Sequence, residues 1–239
     1  MITAEDQETF VAWARYLSWA DLHRRRLDAH FEEERDSAAP GHVGRFITAV
    51  SHWYASLWVV AEGWTQLGLR DNFVDSILKN PPGHAHLLRR YRNGVYHSQP
   101  NLIEPRFGVF LEQSRSTLTW AHALHGEFIR VFWQYPERHG LSPEQSDEWR
   151  AAAEDMLGWL PYDSPYARIT EDERQIRKID ALLESEPDTE AARGLREANE
   201  GLRRAVLQVR QSLLSRQQQY RESGWLESTC TQVEPDPSG

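Results

Sequence analysis

Residues 46–67 read FITAVSHWYASLWVVAEGWTQL. Phe46, Val50, Trp53, Leu57, Val60, Trp64 and Leu67 recur at steps of three and four, the period of one helix face. Trp58 and Ala61 widen that stripe. A face this apolar has to be covered by other elements, so 42–67 is predicted to be the central helix of a bundle. The most apolar part, Ala49 to Ala61, is too short to span a bilayer and contains His52.

On both sides the chain keeps helical spacing, and no segment alternates as a strand would. Residues 4–35 form a helix on which Phe10, Ala14, Leu17, Leu22, Leu27 and Phe31 approximate one face, with Asp21 in the same row. Residues 37–41 (Ser-Ala-Ala-Pro-Gly) break it. A short helix over 71–79 starts on Asp71, which can cap it. Asn80, Pro81, Pro82 and Gly83 end it, and the next helix opens at Pro82 or Gly83. A long helix is expected over 106–137, with Phe107, Phe110, Leu111, Leu118, Ala121, Leu124, Phe128, Phe132 and Tyr135 inward and Pro136 and Gly140 as its terminators. Ser142-Pro143-Glu144-Gln145 is a compact helix start, with Ser as N-cap, Pro at N1 and Gln closing a capping box. That helix should reach about residue 160 with Trp149, Ala153, Met156 and Leu160 inward, before a turn through Pro161 and Pro165.

Beyond the turn the chain is rich in Arg, Glu and Gln. Ile169, Ile176, Ile179, Leu182 and Leu183 mark one helix. Leu195, Asn199, Leu202, Val206, Val209, Leu213 and Tyr220 form a heptad seam. It can fold back as a hairpin with Pro187 at its tip, or pair with a second chain. The fold class is therefore all-α: an antiparallel helical bundle over 1–140, a C-terminal helical hairpin or coiled-coil extension over 141–223, and a disordered tail from 224.

The chain is acidic, with a net charge of −9 over 239 residues. A nonspecific nucleic-acid binder is usually basic, so any RNA contact has to come from a local patch. Residues 1–100 are close to balance, with 11 basic and 12 acidic residues, against 16 and 24 in the remainder. Cys230 is the one cysteine, which fits a reducing compartment. The first residues lack the basic start and apolar run of a signal peptide. A cytoplasmic protein with no membrane segment is the expectation.

One segment runs against the acidic trend. From His84 to His97 there are Arg89, Arg90, Arg92 and three histidines, and no acidic residue. At 100° per residue His86, Arg90, Asn93 and His97 fall within about 60° of one another. Arg89 and Arg92 flank them, and Leu87, Leu88, Tyr91 and Val95 lie opposite. The helix thus has an apolar back and a cationic, histidine-bearing front. Asn93 and His97 are i, i+4 neighbours, so the amide can orient the imidazole. His97 can exchange a proton near neutrality. Arg92 offers a rigid fork for phosphate oxygens. The bland alternative is a solvated basic face, and Arg-x4-His also occurs at Arg25/His30, where it looks like a chance match.

The run Arg92-Asn93-Gly94-Val95-Tyr96-His97, on an all-helical background, resembles the signature of the HEPN superfamily: Arg, a polar residue, three variable positions, His. The resemblance covers about six residues and implies a helical bundle that dimerises so that two motifs build one ribonuclease site. Members act as toxins, antiviral effectors and RNA-processing nucleases. Gln99 stands where the branch paired with nucleotidyltransferase antitoxins has Tyr, so that branch is not assigned. The resemblance implies catalysis by Arg92, His97 and Asn93. Arg89, Arg90, His86 and Tyr96 would bind RNA. Glu62, the one acidic residue between Asp36 and Asp71, is read as a solvated position or as a buried acceptor for Arg92. No metal and no cofactor is expected, since neither His84-x-His86 nor His122-x2-His125 is completed by a ligand at a familiar spacing. Expected partners are RNA, a second copy of the chain and an antitoxin or regulatory protein. The alternative is a catalytically inactive HEPN-like helical protein that binds RNA or a protein partner.

Arg92 and His97 lie about 140° apart on a regular helix. They converge only if the helix loosens near Gly94 or if a second copy completes the site.

Overall fold

The stripe in 46–67 forms helix α2, His42–Gln66. Val50, Trp53, Leu57, Val60 and Trp64 are buried as the spacing predicts, whereas Leu67 is exposed. Gly68 explains the difference: its φ of 65° turns the chain out of the helix at that point. The computed structural model describes residues 4–34, 42–80, 83–96, 114–185 and 189–222. Among these, eight helices and no strand occur: α1 (Ala4–Glu34), α2, α3 (Asn72–Lys79), α4 (His84–Tyr96), α5 (Ser114–Arg138), α6 (Pro143–Leu157), α7 (Pro165–Ser185) and α8 (Glu190–Glu222). The expected tail from 224, the hairpin tip at Pro187, Phe31, Tyr220 and the inward positions Phe107, Phe110 and Leu111 lie outside what is described.

Helices α1 and α4 pack along α2. Trp13 of α1 donates its indole N–H to the Val60 carbonyl at 3.0 Å, and His23 lies against His52. The partner number falls as the α1 number rises, so α1 and α2 run antiparallel. Phe10 stacks on Tyr135 of α5 at 3.7 Å, and Asp21 meets His125, which makes α1 and α5 antiparallel as well. Gly63 lets the Trp13 ring sit close, since a Cβ there would lie 3.3 Å from the indole. The core does not stop at residue 140. Ala153, Leu160 and Ala167 belong to the same cluster as Phe10, Trp53, Trp64 and Phe132.

Two helix starts match their local chemistry. Asp71 Oδ1 accepts the N–H groups of Phe73 and Val74 at 3.0 and 3.1 Å. Ser142 and Gln145 exchange both bonds of the capping box. Helix ends differ more. Pro136 sits inside the last turn of α5, which runs on to Arg138 and stops before Gly140, φ 79°. A proline that late removes only one ladder bond. Helix α6 stops at Leu157 because Gly158 takes the left-handed C-cap, and Met156 faces solvent instead of the core.

Helices α7 and α8 form an antiparallel pair: Asn199 and Arg203 bond to Asp180, and Arg210 to Glu173. Ile169, Ile176 and Val206 make a small separate core. Only part of the heptad seam is covered. Ala192, Asn199 and Val206, spaced by seven, are buried, while Leu195 and Val209 are exposed. A single partner helix covers one narrow row and leaves the neighbouring row open. Leu182, expected inward on α7, is also exposed.

Candidate functional site

Helix α4 carries the Arg-Asn run. Its back is held by His84, Leu88, Tyr91 and Gly94, which are all buried at steps of four and three. Tyr91 exchanges a hydrogen bond of 2.8 Å with the Ser51 hydroxyl and packs its ring edge against Tyr54. Gly94 continues the row with no side chain to hold the helices apart. Burial pushes the Tyr91 phenol up to about 12, so it stays neutral and structural. His84 packs edge-on against Trp120, and burial lowers its pKa.

Only part of the front the wheel predicts stands open to solvent. His86, Arg89, Arg90 and Tyr96 are exposed, and Arg92 and Asn93 are half-buried. The helix is regular through Gly94 to Tyr96, so the loosening considered at Gly94 does not occur there. His97 lies outside the described residues. Arg92 donates from a terminal guanidinium nitrogen to Asn93 Oδ1 at 3.1 Å, and its Nε is buried without a hydrogen-bond partner. No ion pair joins it to Glu62. Tyr91 anchors α4 beside Ser51 and Tyr54, and Glu62 is eight residues beyond Tyr54, about 12 Å along α2.

Among the described residues this leaves Arg92 without a carboxylate. Other arginines drawn into the fold have one: Arg24 and Arg25 pair with Asp21, Arg130 with Asp71 and Glu127, Arg150 with Asp147 and Glu137. A half-buried guanidinium held only by a neutral amide retains donors for an anion.

A second polar cluster has no signal in the sequence. Asp21, buried on α1, accepts four hydrogen bonds: Oδ1 from Arg24 at 2.9 Å and His125 at 3.2 Å, Oδ2 from Arg25 at 2.8 Å and Trp159 at 2.9 Å. Burial alone would raise its carboxyl pKa. The bonds from His125 and the Arg24 charge overcome that and hold it well below the usual carboxylate range. His125 Nδ1 accepts from the Trp53 indole at 3.4 Å, so with Nε2 donating to Asp21 both ring nitrogens are engaged. A catalytic base needs one nitrogen available for the substrate proton. The cluster is therefore a structural tie between α1, α2, α5 and the 158–164 turn, although it borders a cavity of about 320 Å³ lined by His122, Glu127, Tyr166 and Gln217. The Arg25/His30 spacing is likewise accounted for by structure, because Arg25 serves Asp21 and Asp163.

His122 sits against Trp53 with ring centroids 4.4 Å apart, and burial lowers its pKa to about 4. The folded state thus refuses a proton that the unfolded chain accepts below about pH 6.5. Its contribution is complete above that pH and is lost as pH falls toward 4, at about 1.4 kcal/mol per pH unit. His23, His84 and His125 shift in the same direction. Thermal melts should therefore fall steadily between pH 7 and 5, and less steeply in His122→Leu. A melting temperature flat over that range would contradict this account. Asp71, held at about 2 by Arg130, the Val74 N–H and Arg138 against the opposing effect of burial, acts only in a lower window. Its stabilisation is full above pH 4 and is lost toward 2.

Comparison with family models, with curated proteins and with solved structures returns no match to the chain. Among the described residues no group of three or more His, Cys, Asp or Glu is placed to hold a metal ion, and no helix is long and apolar enough to cross a membrane.

Proposed function

We propose that the chain is a metal-independent endoribonuclease of HEPN type, acting in the cytoplasm as a homodimer and serving as a toxin or antiviral effector under the control of an antitoxin or regulatory protein. The observation that carries the reading is Arg92: half-buried on a regular helix, fixed by Asn93 and lacking a carboxylate among the described residues. In the reaction His97 takes the proton of a 2′-OH, and the 2′ oxygen attacks the adjacent phosphorus. Arg92 holds the phosphorane oxygens and Asn93 fixes the Arg92 fork. Protonated His97 gives that proton to the 5′ oxygen as the P–O5′ bond breaks, giving a 2′,3′-cyclic phosphate and a 5′-hydroxyl. Arg89, Arg90 and His86 lie along the same exposed side to hold flanking phosphates.

Because α4 stays regular to Tyr96, the second copy is the favoured way to complete the site. Two Arg92 and two His97 would then share a cleft. The test is incubation of the purified chain with RNA in EDTA. Fragments ending in 2′,3′-cyclic phosphate are the expected result. Intact RNA across a varied substrate set, or cleavage only when a divalent cation is restored, would sink the proposal.

A further inference from the structure

Trp19 is the described tryptophan that stands more than half open, 51 % exposed on the outer side of α1. It is not loose. Tyr16 packs edge-on against it at 5.3 Å, and the Arg15 guanidinium lies 5.9 Å from its ring. One turn further along α1 is His23, whose ring stacks on His52 of α2 at 5.4 Å and 21°. His52 in turn lies 6.5 Å from the Tyr96 ring of α4, which is 54 % exposed. Three helices thus contribute to a row of three rings, His23, His52 and Tyr96, with the Tyr16–Trp19 pair one turn away on α1. The row ends beside Arg92, one turn back from Tyr96 on α4.

Among the described residues no carboxylate is one of the groups that act on His23: besides burial they are His52 and the fixed cation Arg26. The nearby carboxylates of α1, Asp21 and Asp28, point to the other side and are tied to Arg24 and Arg25. Among the described residues neither Arg26 nor Arg89 is ion-paired. Two exposed rings, Trp19 and Tyr96, on a face that also carries unpaired cations suit single-stranded nucleic acid, which takes a ring face for a base and a positive charge for a phosphate. A second copy docking the α1 part of this face on itself would set Arg26 against Arg26, since a two-fold interface is self-complementary, so the shared cleft proposed above is confined to the α4 end.

We propose that the face formed by α1, α2 and α4 binds single-stranded RNA, with bases stacked on Trp19 and on the His23–His52–Tyr96 row and phosphates on Arg26 and Arg92. The choice of RNA rests on the ribonuclease reading of α4, and the surface delivers a strand to that site from the α1 side. Bound bases lie splayed, so a duplex does not fit.

Binding of a 2′-O-methyl oligouridylate with a 5′ fluorophore, followed by the fluorescence anisotropy of the probe, tests this. The probe has no 2′-hydroxyl to attack, so it reports binding alone. Trp19→Ala and Tyr96→Ala should each weaken it about 5- to 150-fold, the span that loss of one base–aromatic stack produces. Arg26→Ala should flatten the slope of log affinity against log salt by about 0.7. Met156→Ala, at an exposed site on α6, should change nothing. Equal affinity for duplex and single strand overturns the proposal, as does unchanged affinity in both ring variants. A dimer that dissociates in Trp19→Ala while the probe still binds also overturns it and assigns the face to a second copy. Ring-dependent binding by a chain that fails to cut ordinary RNA supports the surface and removes the nuclease. Cleavage at the parent rate by both ring variants does the reverse.

Discussion

Asp21→Ala is expected to lower the stability of the fold by about 3–5 kcal/mol, because removing one partner of a buried ionic cluster leaves the others charged and unpaired. For a chain of this length that is roughly 6–20 °C in melting temperature. The size follows from how much converges on one carboxylate. Arg24, Arg25, His125 and Trp159 all donate to it, and they come from the first helix, the fifth helix and the turn after the sixth. Asp21→Asn should cost nearly as much, since the amide turns one acceptor into a donor facing donors already in place. Asp163→Ala supplies the contrast. Asp163 pairs with the same two arginines but is 49 % exposed, and an exposed pair contributes about 0–1 kcal/mol. If Asp21→Ala and Asp163→Ala melted together, the cluster would not be the tie described.

The same residue shows where sequence reading works and where it stops. The period of α1 places both Asp21 and Leu22 on the inward row, but only Asp21 is buried and Leu22 is exposed. Helix phase is a local property, so an Asp in an apolar stripe is visible as an anomaly. Its partners are not, because His125, Trp159 and Asp163 lie more than a hundred residues away. The Asp71 and Ser142 caps were legible for the same local reason, whereas the clamp of Arg130 and Arg138 on Asp71 was not. On α4 the wheel gave the exposed and buried faces, since they follow from Leu88 and Tyr91 needing cover. It could not give the His23–His52–Tyr96 row, which exists only once α1, α2 and α4 are packed. Nor could it show that Arg92 lacks a carboxylate among the described residues, which depends on how the helices pack.

Arg92→Ala and His97→Ala are expected to lower the cleavage rate by about 10²–10³-fold and 10²–10⁴-fold, the ranges for losing a charge-stabilising donor and a general base. The stability consequence separates catalysis from architecture. Among the described residues Arg92 bonds only to the Asn93 amide, so its removal orphans no carboxylate there and should shift stability by no more than about 0.5 kcal/mol. Arg130→Ala, which leaves Asp71 and Glu127 facing each other's charge, should instead destabilise severely. Arg92→Lys keeps the charge but not the fork, and should recover only part of the rate. A loss of rate in Arg92→Ala that merely tracks unfolding would make Arg92 structural. Mixing the two dead chains adds a sharper measurement. On a regular helix Arg92 and His97 diverge by about 140°, so a site within one copy gains nothing from mixing. A cleft shared by two copies would hold one intact Arg92 and one intact His97 in each mixed dimer, and cleavage should partly return. Activity that stays at the level of the single variants would place the whole reaction within a single chain.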